Sequence, residues 1–201
     1  MINFKESKTK TNLMRAFAGE SQARNRYTFA AEIAKKQGLY VIEAVFKYTA
    51  DQELAHANVF MKHLSELNGE TVEIDGAYPV EVTNSVIELL ENAVHNETEE
   101  YEDVYKNFAE DAKAEENLAV ATSFENIGKI ENEHAKRFKL FADLLKQNKL
   151  FVNDCECDWV CLNCGNVFKG KQAPEACPVC HHEKGYFIRL ELAPYTKSNK
   201  N

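Results

Sequence analysis

The sequence 129-KIENEHAKRF-138 places two ionisable residues where a helix should be apolar. Apolar residues recur around it every three or four positions, which is the spacing of one buried helix face. Glu131 and His134 fall on that face. Because an unpaired carboxylate in a dry core is so costly that it normally takes up a proton, Glu131 requires a compensating partner.

The same pattern occurs in three other long segments, so the N-terminal part predicts an all-α four-helix bundle. We expect helices over about 7–37, 40–68, 83–114 and 115–148. Gly38 and Gly69 follow the first two segments and suit the left-handed position that ends a helix. Residues 69–82 contain further glycine and proline and are too long for a tight turn, so we expect them to cross over the bundle.

Each predicted helix carries acidic or imidazole residues near the middle of its buried stripe. In the second and fourth helices they form a Glu-x-x-His pair, whose members lie one turn apart and present an oxygen and a nitrogen to one point. Two such pairs, with one Glu from each remaining helix, build the di-iron and di-manganese carboxylate bundles. Glu100 is a further carboxylate, which indicates ligands that change with oxidation state. The residues are Glu20, Glu53, His56, Glu97, Glu100, Glu131 and His134.

The composition limits the class of protein. Hydrophobic residues make up 44% of the 201 residues and charged residues 28%, and no apolar run is long enough to span a membrane. The first residues lack the apolar core and cleavage site of a secretory signal, so we expect a cytoplasmic protein. A formal net charge of -8 argues against sequence-independent binding to nucleic acid or anionic lipid.

All six cysteines lie between positions 155 and 180, and this composition shift predicts a domain boundary. We expect one domain over 1–150 and a small one over 151–201. Two Cys-x-x-Cys pairs can close a tetrahedral four-thiolate metal site. Its ligands would be Cys161, Cys164, Cys177 and Cys180. Both zinc and iron accept four thiolates, so the spacing alone leaves the metal open.

Four other residues of the small domain fall outside this pattern. Cys155 and Cys157 could be free thiols, alternative ligands or redox-active residues, and we favour free thiols. His181 and His182 follow the last cysteine and are interpreted as surface residues rather than ligands. A module so poor in aliphatic residues is expected to need its metal to fold.

Several motifs together resemble the rubrerythrin family over essentially the whole chain. They are AFAGESQARNRY (16–27), ADQELAHA (50–57), ETEEYEDVY (97–105), IENEHAKRF (130–138), CLNCG (161–165) and CPVC (177–180). The resemblance implies a ferritin-like bundle with a non-haem di-iron centre, followed by a rubredoxin-like domain with one iron in four thiolates. It also implies that the seven bundle residues named above bind the iron pair, and that the four cysteines bind the single iron.

The resemblance implies further roles for individual residues. In this family one iron moves between a carboxylate and a histidine when the centre changes redox state, and the matching residues here are Glu100 and His56. Tyr27 and Tyr105 match tyrosines near the family's di-iron site, and both positions suit core aromatics equally well. The sequence departs from the family at NDCECDW (153–159), where two cysteines precede the first metal knuckle, which leaves the local redox behaviour open.

The activity implied is the reduction of hydrogen peroxide to water, as a defence against oxidative stress. Electrons would come from a nicotinamide-dependent reductase or a small redox protein and pass through the rubredoxin-type iron. In the family two subunits pair so that one chain's rubredoxin iron lies close to the other's di-iron centre, so we expect a homodimer or a higher homo-oligomer.

Two alternatives compete with the peroxidase interpretation. One is a ferroxidase or iron-storage protein, against which the cysteine module counts, because storage has no use for a one-electron relay. The other is a non-catalytic metal-binding protein with a zinc ribbon, which the cysteine spacing alone permits.

Overall fold

The computed structural model describes residues 3–193, and its N-terminal part is a bundle of α-helices. The helices are α1 Lys8–Lys36, α2 Tyr40–His63, α3 Val86–Glu99, α4 Tyr105–Ala114 and α5 Leu118–Lys146. One turn of π-helix, Glu100–Val104, joins α3 to α4, so these two occupy the place of the third predicted helix. α1 packs along α2, while α5 packs along α3 and α4. The predicted all-α four-helix bundle is thus confirmed.

Residues with a left-handed backbone conformation follow several of the helices. Gly38 and Gly69, with φ of 71° and 86°, adopt the left-handed conformation expected after the first two helical segments. Between α4 and α5 no glycine is present, and Glu116 takes the left-handed position instead, with φ of 64°. Residues 68–84 cross the bundle without a regular element. None of the helices in the described part of the chain is long and apolar enough to cross a bilayer.

The π turn changes which side of the third helical segment is buried. The regular spacing predicts Val104 and Phe108 in the core, but both are only partly buried. Tyr105 and Ala109 are buried instead, each one position further along the chain. Ala112, one helical turn after Ala109, is buried as well. A π turn holds an extra residue, so every later residue is rotated relative to a continuous α-helix.

The bundle core consists of two apolar layers with polar residues between them. Along α5 one layer contains Val120, Phe124 and Ile127, and the other begins at Phe138. The ionisable residues of the KIENEHAKRF stretch lie between these positions. The same order recurs along α1, along α2 and along the third segment formed by α3 and α4, so all four helical segments bring their polar residues to one level of the bundle.

The C-terminal part is a small antiparallel sheet with a core of its own. Its strands are β1 Val152–Cys161, β2 Val167–Gln172 and β3 Phe187–Arg189, in the order β2-β1-β3. Trp159 and Phe187 are fully buried in its core. Val160 and Ile188 point the other way and join the apolar layer of the bundle that includes Phe138.

A close backbone approach and an aromatic stack also connect the small sheet to the bundle. The rings of Tyr40 and Tyr186 stack with centroids 4.0 Å apart. Gly185 lies so close to the turn between α1 and α2 that an added Cβ would be 1.8 Å from the carbonyl oxygen of Gly38. Only glycine fits at this contact.

Candidate metal centre

Six of the seven predicted bundle ligands meet in the middle of the bundle, in two overlapping groups. One group is Glu20, Glu53, His56 and Glu131, and the other is Glu53, Glu97, Glu131 and His134. Within each group the possible ligand atoms all lie within 4.8 Å of one another, and every member is buried. Two residues, Glu53 and Glu131, belong to both groups, and each carboxylate has two oxygens with which it could reach two metal ions.

Glu53 and Glu131 divide their oxygens between the two histidines. Nδ1 of His56 lies 3.2 Å from Oε2 of Glu53 and 3.0 Å from Oε1 of Glu131. Nδ1 of His134 lies 3.0 Å from the other oxygen of Glu53 and 2.7 Å from the other oxygen of Glu131. At the outer ends, Oε2 of Glu20 is 3.6 Å from His56, and Oε2 of Glu97 is 3.5 Å from His134.

Hydrogen bonds within the protein leave many of these atoms unsatisfied. Among the described residues, five buried carboxylate oxygens of the group lack a hydrogen-bond partner, as does Nδ1 of His134; the oxygens belong to Glu20, Glu53, Glu97 and Glu131. A buried charged group without a partner is strongly destabilising. Since all of these atoms converge on the same interior point, the donor set fits a pair of divalent cations of the kind that carboxylate and imidazole ligands prefer.

The crowding of charges shifts the pKa values of this group in both directions. Burial, followed by the nearby Glu53 carboxylate, raises the pKa of Glu97 to about 8. Burial opposes ionisation of Glu53 too, but the adjacent imidazoles of His134 and His56 prevail and lower the pKa of Glu53 to about 2. Burial disfavours the charged form of His134, yet Glu131 and Glu53 raise the pKa of this imidazole to about 12. Metal ions would therefore displace protons from the group.

Two tyrosines hold the outer carboxylates. The hydroxyl of Tyr27 donates a hydrogen bond to Oε1 of Glu97, and that of Tyr105 donates to Oε1 of Glu20. Each carboxylate therefore keeps its second oxygen directed at the centre. Both rings also pack in the apolar layers, so the core role and the site role coincide. Burial raises the pKa of both hydroxyls well above its ordinary value, with Glu97 and Glu20 adding to the effect, so both remain donors.

Gln52 and Arg137 support the centre and were not found by sequence reasoning. Oε1 of Gln52 lies 3.1 Å from Nε2 of His134 and 2.9 Å from Nη1 of Arg137. The same guanidinium donates to Oγ1 of Thr49 at 3.0 Å. Their positions beside the predicted ligands were the only indication in the sequence. Gln52 directly precedes Glu53, and Arg137 follows His134 by three residues.

Glu100 does not join either group. It begins the π turn, is half-buried, and lines a cavity between the bundle and the crossover segment. Among the seven predicted bundle ligands it is the one whose side chain lies outside the converging atoms.

The four predicted cysteines form a second metal-binding group. Sγ of Cys161 lies 3.8 Å from Sγ of Cys180, and Sγ of Cys164 lies 3.6 Å from Sγ of Cys177. Four sulfurs around one ion at about 2.3 Å would be separated by about 3.8 Å in a tetrahedron. The thiols are therefore already spaced for one metal ion.

The two halves of the cysteine group repeat one backbone pattern. Cys161 N–H donates to the carbonyl of Asn166 at 2.9 Å, and Cys177 N–H donates to that of His182 at 2.8 Å. The residue after each second cysteine is left-handed, with φ of 77° at Gly165 and 60° at His181. This turn directs backbone N–H groups at the sulfurs, and the one from His182 is the main cause that lowers the pKa of Cys180 to about 5.

The remaining cysteines and histidines of the small domain lie outside this group. Cys155 is exposed and Cys157 is partly buried, and neither is bonded in a disulfide. His181 is exposed, while the ring of His182 packs edge-on against Tyr186 and is 3.1 Å from the carbonyl of Cys180. The structure brings none of the four into a metal-binding group.

Comparison with known proteins finds the same two-part organisation elsewhere. Residues 11–142 match the family model described as Rubrerythrin, and residues 159–188 match the one described as Rubrerythrin, rubredoxin-like domain. The chain is 45% identical over 189 residues to Rubrerythrin-1 of Clostridium acetobutylicum, covering 93% of this chain and 96% of that protein. It is 40% identical over 192 residues to rubrerythrin of Nitratidesulfovibrio vulgaris, covering 96% and 99%.

Solved structures agree in fold. A mixed-valence state of nigerythrin superimposes with a TM-score of 0.62 at 28% identity, covering 92% of this chain and 90% of that one. Bacterioferritin of Desulfovibrio desulfuricans gives a TM-score of 0.64 at 23% identity, covering 71% of this chain and 82% of that one. The second likeness concerns the fold alone, which is ferritin-like.

Proposed function

The chain belongs to the rubrerythrin family of oxidoreductases, and we propose on this premise that it is a peroxidase that reduces hydrogen peroxide to water. The predicted cofactor types are confirmed, since the bundle holds a di-iron carboxylate type of site and the small domain a rubredoxin-like four-cysteine cluster. The peroxidase activity, its cytoplasmic setting as a defence against oxidative stress, and the electron donor are parts of the proposal.

The observation that carries the proposal is the presence, on one chain, of a buried two-metal carboxylate group and a one-metal thiolate group. Breaking the O–O bond of hydrogen peroxide consumes two electrons and two protons and gives two molecules of water. Iron in the paired site would supply the two electrons together, and iron in the thiolate site would return them singly. A storage protein would need the first site but not the second.

Individual residues have defined tasks in this proposal. Glu53 and Glu131 would bridge the metal pair, with Glu20 and His56 completing one position. Glu97 and His134 would complete the other. The single iron would be held by Cys161, Cys164, Cys177 and Cys180.

Glu100 and His56 would serve alternate redox states of the centre. Nδ1 of His56 faces the carboxylate group, whereas Glu100 lies one turn beyond Glu97 and outside it. A π turn at Glu100 supports this role, because such turns interrupt the regular helix and are frequent at functional sites. Tyr105 would hold the terminal carboxylate of Glu20 while the ligands change.

The external partners follow from the same premise. Electrons would enter at the thiolate iron from a nicotinamide-dependent reductase or a small redox protein. A homodimer would place one subunit's thiolate iron near the other subunit's paired site.

Anaerobic stopped-flow absorption tests the proposed electron path. The iron-loaded protein is reduced, mixed with hydrogen peroxide, and followed by the visible absorption of the ferric four-thiolate iron. We expect rapid reoxidation in the unaltered protein and slow reoxidation in Glu53→Ala. Glu133→Ala, which removes a glutamate 65% exposed on the same helix as Glu131, is the matched control and should react like the unaltered protein. Equal rates in the unaltered protein and Glu53→Ala would contradict the proposal.

A further inference from the structure

A cavity of about 600 Å³ lies beside the carboxylate group. It lies between α1, the crossover segment and the π turn with α4, and it is partly open to solvent. Its walls include Gly19, Tyr78, Pro79, Glu100, Val104 and Phe108. We call it the Gly19 cavity. The lining is mixed: Tyr78, Pro79, Val104 and Phe108 form an apolar part, and charged residues such as Arg15 and Arg26 form a polar part. Glu100 is the carboxylate that the paired site leaves outside.

Gly19 is at an unusual position for a glycine. It lies in the interior of α1, where glycine is about 1 kcal/mol less favourable than alanine. Its backbone is not left-handed, so the conformation does not require glycine. A Cβ added to Gly19 would meet no atom within 4 Å, so close packing does not require glycine either. What the missing side chain does provide is open space in the cavity.

The cavity lies next to the paired site, and two of its lining residues are neighbours of that site. Gly19 directly precedes Glu20, and the ring of Tyr105, whose hydroxyl donates to Glu20, forms part of the wall. Glu100, one helical turn after Glu97, lines the cavity as well. A molecule in the cavity would therefore lie against Glu100 and Tyr105, which separate it from the carboxylates of the centre.

The outer wall of the cavity is held in place by polar contacts. Arg26 Nη1 lies 3.2 Å from Glu81 Oε2, and both side chains are largely buried. Asn96 Nδ2 donates to the other oxygen of Glu81 at 2.7 Å. Arg15 pairs with Asp75, which lies earlier in the crossover segment. These contacts fix the crossover segment over the cavity, so the space is already formed.

The volume exceeds what hydrogen peroxide needs. A molecule of two heavy atoms is close in size to water, which occupies about 30 Å³ in the liquid. Sites for small organic ligands enclose about 300–1,000 Å³ and are mostly apolar, with a few polar groups. We propose that the Gly19 cavity admits organic hydroperoxides with an aromatic or branched alkyl group as additional substrates, with the apolar group against Phe108 and Val104 and the hydroperoxide group toward Glu100.

The reaction deepens the proposed peroxidase function and rests on it. The O–O bond of the hydroperoxide breaks, and with two electrons and two protons the products are one alcohol and one water. The electrons come from the same paired site and are restored through the same thiolate site, so no further reductant is required.

Two substitutions at one position test the cavity. Gly19→Ala and Gly19→Leu both remove the helix penalty of glycine and differ in the volume they add, and neither meets an atom at Cβ. Both iron-loaded variants are assayed with cumene hydroperoxide and with hydrogen peroxide. We expect Gly19→Leu to lower kcat/KM for cumene hydroperoxide, relative to that for hydrogen peroxide, at least tenfold more than Gly19→Ala does.

A binding measurement separates the cavity from the chemistry. Cumyl alcohol, the unreactive product, is titrated into the iron-loaded proteins by calorimetry, and its affinity should fall at least tenfold in Gly19→Leu relative to Gly19→Ala. Reduction of hydrogen peroxide without alcohol binding, or equal effects of the two variants, would overturn the cavity proposal alone. If neither peroxide is reduced, the proposed peroxidase function fails, and the substrate proposal fails with it.

Discussion

Oε1 of Gln52 lies 3.1 Å from Nε2 of His134, on the side of the imidazole that faces away from the carboxylates. The same oxygen accepts a hydrogen bond from Arg137, so Gln52 presents an acceptor to His134 as well. The proton of the neutral imidazole therefore sits on Nε2. This leaves the lone pair of Nδ1 free to bind a metal ion.

Gln52→Leu removes this acceptor and should weaken iron binding at the position that His134 serves. Loss of such a supporting hydrogen bond typically lowers metal affinity by about 10–100-fold. Gln52→Glu keeps an acceptor beside Arg137 and should retain most of the affinity. Ferrous iron is titrated against a competing chelator, and the thiolate site is counted separately by its visible absorption. Unchanged affinity in Gln52→Leu would show that His134 does not depend on this contact.

The metal-free protein should lose stability as the pH rises from about 5 to 9. Between pH 4.5 and about pH 8, Glu97 holds a proton in the folded chain that it releases in the unfolded chain. Raising the pH through this range therefore favours unfolding. His134 has the same sign between 6.5 and 12, because its folded-state pKa is raised. Glu53 acts oppositely, since its lowered pKa contributes stability above 4.5 that is lost as the pH falls toward 2.

Thermal unfolding followed by helical circular dichroism between pH 4 and 9 measures this dependence. Glu97→Gln should flatten the decline above pH 5 in the metal-free protein. The iron-loaded protein should show a weaker decline, because the metal ions replace the protons. A metal-free protein whose stability rises steadily from pH 5 to 9 would be inconsistent with the raised pKa values.

The burial of these ionisable residues could be predicted because α1, α2 and α5 are uninterrupted. Wherever the spacing of three and four residues continues through a helix, as from Ala16 to Ala34 in α1, the predicted face is the buried one. The third segment departs from the predicted buried face after Glu97. There the π turn inserts an extra residue, and no glycine or proline in the sequence marks its position. Gln52 and Arg137 were missed because they flank the buried stripe and resemble ordinary surface residues. Only the contact of Gln52 with Nε2 of His134, and that of Arg137 with Gln52, distinguishes them.

Tyr105→Phe should destabilise the metal-free protein by about 1–3 kcal/mol, because Oε1 of Glu20 would lose its donor inside the core. Tyr101→Phe is the matched control, since Tyr101 lies in the π turn directly before Tyr105 and is 39% exposed. Its effect should stay within about 0.5 kcal/mol. Denaturant unfolding at neutral pH measures both. Equal stability of the two variants would mean that the hydroxyl of Tyr105 contributes only as part of an aromatic core residue.

Gly185→Ala should separate the small domain from the bundle without unfolding either. The new methyl group would lie 1.8 Å from the carbonyl oxygen of Gly38, and a backbone atom cannot move aside as a side chain can. The stack of Tyr40 on Tyr186 and the apolar contact of Ile188 with the bundle would be lost together. Hydrogen exchange should become faster at the start of α2 and in β3, while the absorption of the thiolate iron is retained. Lys171→Ala, on the exposed strand β2, is the control. Unchanged exchange at the start of α2 in Gly185→Ala would show that the two parts are not held together by this contact.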